Sequence, residues 1–323
     1  MADSKTRHRA PRRGATRAAG TAGAPPGRAP VQDREFTVRA RSQRRLVMQR
    51  FVQHRLAVAS LVVLVLVILV AFVGGALWKY QYTEITNDNL QSPSMNHPFG
   101  TDSNGYDYLS QVLRGTQISL EIAFSVAAMA TVVGTVWGAV AGYYRGWADS
   151  LMMRVVDLIL TVPILAAGAL MTKKVQNSGW WALALVIAAL SWPAVSRIVR
   201  GQVLSLREKE YVEAARALGA KDGRIIFRHL LPNIAGQVIV VVTILVALAI
   251  LTESALSYLG FGVQSPNVSL GLLISNNQTA LQGGQWWLFW FPGLFIVLIC
   301  LSVNFIGDGL RDAFDPTQQR VRA

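Results

Sequence analysis

Long apolar runs alternate with polar stretches along this chain, and the pattern predicts helices that cross a membrane. Five or six runs approach the ~20 residues that a helix needs to span the hydrocarbon core. We place these spans near 56–77, 118–141, 151–172, 180–199, 234–252 and 288–307. The predicted fold class is an all-α polytopic membrane protein with about six transmembrane helices. Six spans put both termini on one side.

Composition and charge agree with this prediction. Of the 323 residues, 52% are hydrophobic and 15% are charged, and the net charge is +13. Residues 1–55 hold 14 of the 31 lysines and arginines, and residues 11–30 are rich in Pro, Gly and Ala. We expect a disordered basic tail over residues 1–45. A nucleic-acid-binding arm is one interpretation, but no nucleic-acid module follows, so we favour a signal that keeps this end in the cytoplasm and expect no nucleic-acid partner.

The distribution of bases orients the spans. With the N-terminus inside, 27 of the 31 basic residues fall on the inner side, and only Lys79, Arg114, Lys173 and Lys174 fall outside. Basic residues concentrate on the cytoplasmic side of membrane proteins. Both termini, including a short tail at 317–323, and residues 205–232 are therefore predicted to be cytoplasmic.

Polar residues and prolines inside the spans support predictions about ion pairing and helix kinks. Arg154 and Asp157 are three residues apart on one helix face, so they can pair near the cytoplasmic end of their span, and we favour such local pairing or snorkelling of the side chains. A role in an ion pathway is the alternative. Pro163 and Pro193 lie inside predicted spans, where proline removes a backbone donor and kinks a helix.

A glycine repeat in the second span predicts close helix packing. Gly134, Gly138 and Gly142 follow one another at four-residue spacing, which creates a smooth helix face. The sequence leaves open whether this face packs within the chain or against a second subunit.

One charged stretch lies between two apolar runs. Residues 205–218, SLREKEYVEAARAL, favour a helix, and Gly219 is suited to end it in the left-handed conformation. A second short helix is predicted from Asp222, as N-cap, to Pro232, which fits the first turn of the next span. Glutamates in the first helix disfavour binding to an anionic lipid surface, so we favour a protein as the partner of this segment.

This stretch carries a family resemblance. EAARALGAKDGRIIFRHLLP resembles the cytoplasmic EAA loop of bacterial ABC importer permeases. The positions that match, and that the resemblance assigns to coupling with an ATPase, are Glu213, Ala214, Ala215, Gly219, His229, Leu231 and Pro232.

Three further stretches narrow the resemblance to the dipeptide/oligopeptide branch and to its second, shorter permease subunit. They are HPFGTDSNGYDYLSQVLRG (97–115), TESALSYLGFGVQSPNVSLG (252–271) and NFIGDGLRDAFDP (304–316). The resemblance covers most of residues 46–316, which it identifies as a transmembrane permease domain of the type I ABC importer kind.

The outer stretches 78–117 and 253–287 suggest ordered loops or short re-entrant pieces that are candidates for an outer gate, with plain surface connectors as the alternative. The residues singled out there are Phe99, Gly100, Asp102 and Asp107. Many relatives have Arg where this chain has Tyr106, so a contact through that guanidinium is absent here.

The resemblance implies a permease subunit of an ATP-driven, binding-protein-dependent peptide importer in the bacterial inner membrane. The implied partners are a second homologous permease, two ATPase subunits that bind ATP and Mg, an extracytoplasmic peptide-binding protein and membrane lipid. The sequence itself has no GxxxxGK[ST], no metal-ligand cluster and no catalytic triad spacing. We therefore expect no enzymatic activity, no metal and no cofactor in this chain.

Other functions stay open at this point. A six-span secondary transporter or channel would favour ionisable residues near mid-membrane, whereas most here lie near span ends. A membrane scaffold would keep the cytoplasmic helices without needing the outer loops. Importers for nickel or glutathione-like substrates share the resemblance.

Overall fold

A computed structural model describes residues 43–175 and 178–314 of the chain. The regular secondary structure of these residues is helical, and the only β-pairing among them consists of isolated bridges. The all-α prediction is confirmed for this part of the chain. The basic tail predicted over 1–45 lies outside the described residues except for its last three, and the tail at 317–323 lies wholly outside them.

The helices are given in chain order. They are α1 (Gln43–Gln53), α2 (Arg55–Leu69), α3 (Gly75–Leu77), α4 (Tyr108–Tyr144), α5 (Gly146–Leu160), α6 (Ile164–Val175), α7 (Trp180–Arg207), α8 (Glu210–Ala217), α9 (Asp222–Ile225), α10 (Leu231–Tyr258), α11 (Leu270–Asn276) and α12 (Trp287–Phe314). Two π-helical turns, Val70–Gly74 and Ile226–Leu230, join α2 to α3 and α9 to α10.

Five helical stretches among the described residues are long and apolar enough to cross a membrane. They are Arg55–Leu77, Tyr108–Tyr144, Trp180–Arg207, Asp222–Tyr258 and Trp287–Phe314. The predicted third span, 151–172, is not one continuous helix, because α5 and α6 meet at an angle of 83°. Pro163 lies at this break, where its ring and missing N–H prevent α5 from continuing.

The glycine face of α4 packs against α7 within the chain. A Cβ added to Gly138 would lie 2.3 Å from the carbonyl oxygen of Ser196, so any side chain would force the two helices apart. Gly134 and Gly142, one turn to either side, approach α7 in the same way. The glycine face therefore packs within the chain and not against a second subunit.

These contacts also show that α4 and α7 run parallel. Gly134 lies against Val195 and Gly142 lies against Val203, so position along α7 increases with position along α4. Two parallel membrane helices need a return path between them. The bent pair of α5 and α6 supplies it and acts as the sixth crossing.

The first and last helices meet at one end of the bundle. Gly309 of α12 packs on Ala57 at the start of α2, and Arg50 of α1 donates a 3.5 Å hydrogen bond to the carbonyl of Ala313. Gly236, near the start of α10, lies against Phe314. The ends of the described chain therefore lie on one side, as six crossings require.

The predicted pairing of Arg154 with Asp157 is wrong. Asp157 forms its ion pair with Arg197 on α7, at 2.5 Å between Nη2 and Oδ1. A second carboxylate on α5, Asp149, accepts two hydrogen bonds from Arg200 at 2.5 and 2.6 Å. Both pairs fix α5 against α7, a neighbour that helical spacing within α5 cannot reveal.

Candidate functional site

Residues 205–232 are here called the coupling segment. The single helix predicted over 205–218 is divided in the structure, because residues 205–207 are the end of α7 and α8 spans only Glu210–Ala217. Helix α8 ends in a Schellman motif, in which the amides of Gly219 and Ala220 donate to the carbonyls of Arg216 and Ala215 at 2.9 and 3.1 Å. Gly219 has a φ of +79°, a conformation that L side chains rarely adopt. The sequence prediction for this turn is confirmed.

The second half of the segment differs from its prediction. It forms no separate short helix, because α9, a π-helical turn and α10 run on as one helix, Asp222–Tyr258. The N-cap is Lys221, and the Asp222 carboxylate instead accepts a 2.6 Å hydrogen bond from the Tyr143 hydroxyl. Pro232 lies in the first turn of α10 as predicted, and its missing amide favours the π-helical turn before it.

Tyr143, at the inner end of α4, joins the segment to the membrane helices. Besides its bond to Asp222, its ring lies 5.6 Å from the guanidinium of Arg207 and 5.8 Å from that of Arg216. Arg207 also donates to the Tyr143 carbonyl. Val212 is the one fully buried side chain of α8. The segment is thus fixed to the bundle by a small number of contacts.

Most of the predicted coupling residues are accessible. Glu213, Ala214, Gly219 and Pro232 are exposed, and Ala215, His229 and Leu231 are half-buried. Large apolar side chains are exposed on the same segment, with Leu218 at 89%, Phe227 at 66% and Tyr211 at 40%. Exposed apolar side chains rimmed by charges are typical of a protein contact surface.

Residues 78–107, here called the outer loop, have a contrasting character. The Asp107 carboxylate is fully buried, caps α4 at the Ser110 amide and accepts from the Trp78 indole, each at 2.9 Å. Its other oxygen lies 2.7 Å from Nδ1 of His97. The His97 Nε2 atom lies 3.5 Å from the Asp88 carboxylate. Because Asp107 begins α4 at Tyr108, the helix starts ten residues before the predicted span at 118.

The outer loop packs on the outer end of α12. Phe99 stacks on Phe291 with ring centroids 3.8 Å apart. Gly100 lies against the Trp287 indole, whose Nε1 donates to the Thr101 carbonyl at 3.3 Å. These contacts connect the loop to a helix that follows it by almost two hundred residues.

Asp102 and Tyr106 close a turn beside a polar cavity of about 420 Å³. The Asp102 carboxylate accepts from the amides of Asn104 and Tyr106, both at 2.9 Å. Burial raises the pKa of the Asp102 carboxyl, and these amides partly offset that rise. The four predicted gate residues thus lie together around the start of α4, and their role as a gate stays a prediction.

The sequence reasoning missed Glu253, although the residue lies in the quoted stretch TESALSYLG. Its carboxyl is fully buried and accepts from the hydroxyls of Ser257 at 2.7 Å and Ser119 at 3.2 Å. Ser119 belongs to α4 and also accepts from the Leu270 amide at the start of α11. A glutamate between hydroxyl residues near a span end was the available signal, but its partner is 134 residues away.

Two family models match the chain. The model described as "Binding-protein-dependent transport system inner membrane component" matches residues 134–320, and "N-terminal TM domain of oligopeptide transport permease C" matches residues 42–97. The first covers the coupling segment and the second covers α1 to α3 and most of the outer loop.

Known proteins resemble most of the chain. The oligopeptide transport system permease protein OppC of Mycobacterium tuberculosis (strain ATCC 25618 / H37Rv) is 44% identical over 248 residues, which are 76% of this chain and 85% of that protein. The dipeptide transport system permease protein DppC of Alkalihalophilus pseudofirmus is 39% identical over 252 residues, 76% and 81% of the two chains. A solved inward-facing structure of the MetNI methionine ABC transporter matches with a TM-score of 0.54 at 19% identity, covering 64% of this chain and 97% of that chain. This last likeness concerns the fold alone.

Proposed function

The chain belongs to the family of binding-protein-dependent transport system inner membrane components, and from this membership we propose that it is a permease subunit of an ATP-driven peptide importer. The similarity to oligopeptide and dipeptide permeases over about three quarters of the chain supports peptides as the substrate class. The family is one of membrane subunits without catalytic activity of their own, and ATP hydrolysis is assigned here to separate subunits.

The observation that carries this proposal is the coupling segment. Its matched residues and its apolar side chains are exposed at the end of the bundle where both described chain ends lie. Helix α8 is already held on the bundle by its buried Val212 and by Tyr143. The exposed side chains of the segment are therefore not needed for folding. We assign the surface to an ATPase subunit, with ATP and Mg bound there and not in this chain.

The continuous helix Asp222–Tyr258 gives the segment a mechanical connection. Its 37 residues extend about 55 Å at 1.5 Å per residue, from the coupling surface to the outer side. Near its outer end Glu253 contacts α4 and the start of α11 through serine hydroxyls. Closure of an ATPase dimer at the inner end would thus move the outer end as part of the same rigid element.

Further partners follow from the same proposal. A second permease would complete the pathway, and an extracytoplasmic peptide-binding protein would deliver substrate to the outer side. We assign the chain to the bacterial inner membrane, and the excess of bases supports a cytoplasmic location for the coupling segment and both termini.

An ion-driven transporter is the competing function, and one structural observation favours it. Glu121 lies 13 residues inside α4, whereas the span predicted from residue 118 placed it near a span end. Family membership and the exposed coupling segment are the reasons for preferring ATP.

Reconstituted vesicles containing the chain, its second permease and its ATPase subunits test the proposal. Glu213→Lys reverses a charge at the expected contact, and Gly219→Val prevents the left-handed turn. Both variants should insert and pair with the second permease, yet lose peptide uptake and substrate-stimulated ATP hydrolysis. Glu84→Lys, the same reversal in the exposed outer loop, should transport normally. Normal coupled uptake by both coupling variants would remove the segment from the mechanism.

Thiol labelling tests the orientation. Cysteines placed at Asn104 and Asn276 should react with an impermeant reagent from outside the cell, whereas one at Lys221 should not. The native Cys300 is buried and gives little background. Labelling of Lys221→Cys from outside would reverse the proposed topology.

A further inference from the structure

Glu121 is an ionisable residue without a hydrogen-bond or ion-pair partner in the described part of the chain. It lies 13 residues after the first residue of α4, about 20 Å along the helix axis. Its side chain is only partly buried, and no described residue donates a hydrogen bond to it or forms an ion pair with it. Glutamate is costly at membrane depth and marks a functional site unless a partner or water satisfies it.

Glu121 borders a cavity between α2, α4 and the start of α7. The cavity has a volume of about 470 Å³, within the roughly 300–1,000 Å³ typical of small-molecule sites. Its wall contains three aromatic rings, those of Phe72, Phe124 and Trp180, together with the hydroxyl of Ser125. Ile68 and Leu120 complete the lining.

This set of side chains has a definite chemical complement. A carboxylate attracts a cation, and the faces of aromatic rings attract it further when water is excluded. A hydroxyl accepts one more hydrogen bond from an ammonium group. The apolar remainder of the wall suits the carbon atoms next to that group. An alkylammonium ion satisfies all of these features, whereas an anion or a neutral amide does not.

The position of the cavity fits the path of a transported molecule. The cavity lies in the outer half of the bundle, because α4 and α7 both start on the outer side and Trp180 is the first residue of α7. Ser119, two residues before Glu121, belongs to the buried contact with Glu253. Neighbouring faces of α4 at this depth thus contact helix α10 and the cavity.

We propose that Glu121 binds the N-terminal ammonium group of the peptide during its passage, with Phe72, Phe124 and Trp180 enclosing that group. The inference rests on the proposed peptide transport. It assigns to the permease a selectivity for free amino termini that is separate from any selectivity of the binding protein. A basic side chain of the second permease would be the competing partner for the same carboxylate.

Direct peptide binding to the purified importer in nanodiscs, without the binding protein, tests the site. The probes are trialanine, its N-acetyl form and its C-terminal amide. Wild type should bind trialanine and the amide at least about tenfold more tightly than the acetylated form, as expected for a charged hydrogen bond. Glu121→Gln should abolish this preference, and Glu84→Gln, the same change in the outer loop, should retain it.

A second variant distinguishes loss of the binding site from loss of assembly. Phe124→Leu keeps the charge but removes one ring, and it should reduce the preference about threefold. The proposal is overturned if wild type binds the free and acetylated peptides equally, or if Glu121→Gln keeps the full preference. It is also overturned if Glu121→Gln releases the second permease while Phe124→Leu leaves the preference intact, since Glu121 would then pair with that subunit. Peptide uptake by wild-type vesicles with the binding protein is measured in parallel, and its absence would refute the proposed function instead.

Discussion

The outer loop and the coupling segment both carry stretches that resemble the same permease family, yet their residues are used in opposite ways. In the outer loop, Asp107 is fully buried, His97 is 1% exposed, and the two side chains bind each other. In the coupling segment, Glu213 and Gly219 are exposed. Resemblance alone therefore does not separate residues that build the fold from residues that contact a partner. Burial and hydrogen bonding separate them.

The difference has a physical origin. A loop that caps a membrane helix must satisfy its buried polar groups internally, so the buried Asp107 carboxylate is paired with His97 and the Trp78 indole. A segment that docks on another protein keeps its contact residues free until the partner arrives. Four substitutions sharpen this comparison, from the largest expected effect on stability to the smallest.

Asp107→Ala should cost the most, about 3–5 kcal/mol of folding free energy, because it leaves His97 and the Trp78 indole buried without their partner. Thermal unfolding of the purified chain with its second permease measures this loss. Glu84→Ala, in the exposed part of the same loop, is the control and should change little. A stable Asp107→Ala protein that fails only in transport would show that the outer loop is a functional contact after all.

Gly219→Val should cost about 1–2 kcal/mol, because a β-branched residue is strained at a φ of +79°. The matched control is Gly223→Val, since Gly223 has helical backbone and open space around it. Thermal unfolding compares the two variants. Equal stability of both would mean that the turn does not require positive φ.

Tyr143→Phe should cost about 1 kcal/mol, because it removes the hydroxyl that donates to Asp222 and leaves the ring contacts in place. Tyr144→Phe is the control, since Tyr144 is 52% exposed and Tyr143 only 4%. Hydrogen exchange of the α9 amides should increase in the first variant alone. Unchanged exchange would show that α9 does not depend on this bond.

Glu213→Gln should leave stability within about 0.5 kcal/mol of wild type, because the side chain is exposed. It should nevertheless weaken ATPase binding, measured by co-purification of the ATPase subunits. Glu210→Gln, in the same helix, should bind them normally. A stability loss as large as that of Gly219→Val would place Glu213 among the residues that hold the fold.

Several features could be predicted because they depend on neighbouring residues. The length of apolar runs gave the positions of the spans, although α4 begins earlier and the third span is broken at Pro163. Helix propensity predicted the helix that includes α8, and Gly219 predicted the turn at its end. The family resemblance assigned residues to ATPase coupling, and that assignment stays a prediction; it did not show which of these residues are exposed.

The residues that escaped prediction depend on partners far along the chain. Asp157 was assigned to Arg154, its neighbour on the helix, but Arg197 lies closer in space. The sequence predicted Asp222 as the N-cap of a helix, but in the structure its carboxylate accepts a hydrogen bond from the Tyr143 hydroxyl. Glu253 lies between two hydroxyl residues and Glu121 lies in an apolar run, and neither pattern shows that Ser119 binds the first or that a cavity borders the second.

The sequence by itself determined that the chain is a helical membrane protein, how its spans divide the basic residues, and where a charged helix and turn interrupt the apolar pattern. These properties follow from solvation and backbone preferences that act over a few helical turns. Only the tertiary structure decided that α4 and α7 run parallel with glycines at their contact, that Glu253 is satisfied by serines while Glu121 borders a cavity, and that the coupling segment continues into a helix reaching the outer side. Each of these depends on which helices become neighbours, and that choice is made by packing between segments that lie far apart along the chain, by 134 residues for Ser119 and Glu253 and by 263 for Arg50 and Ala313.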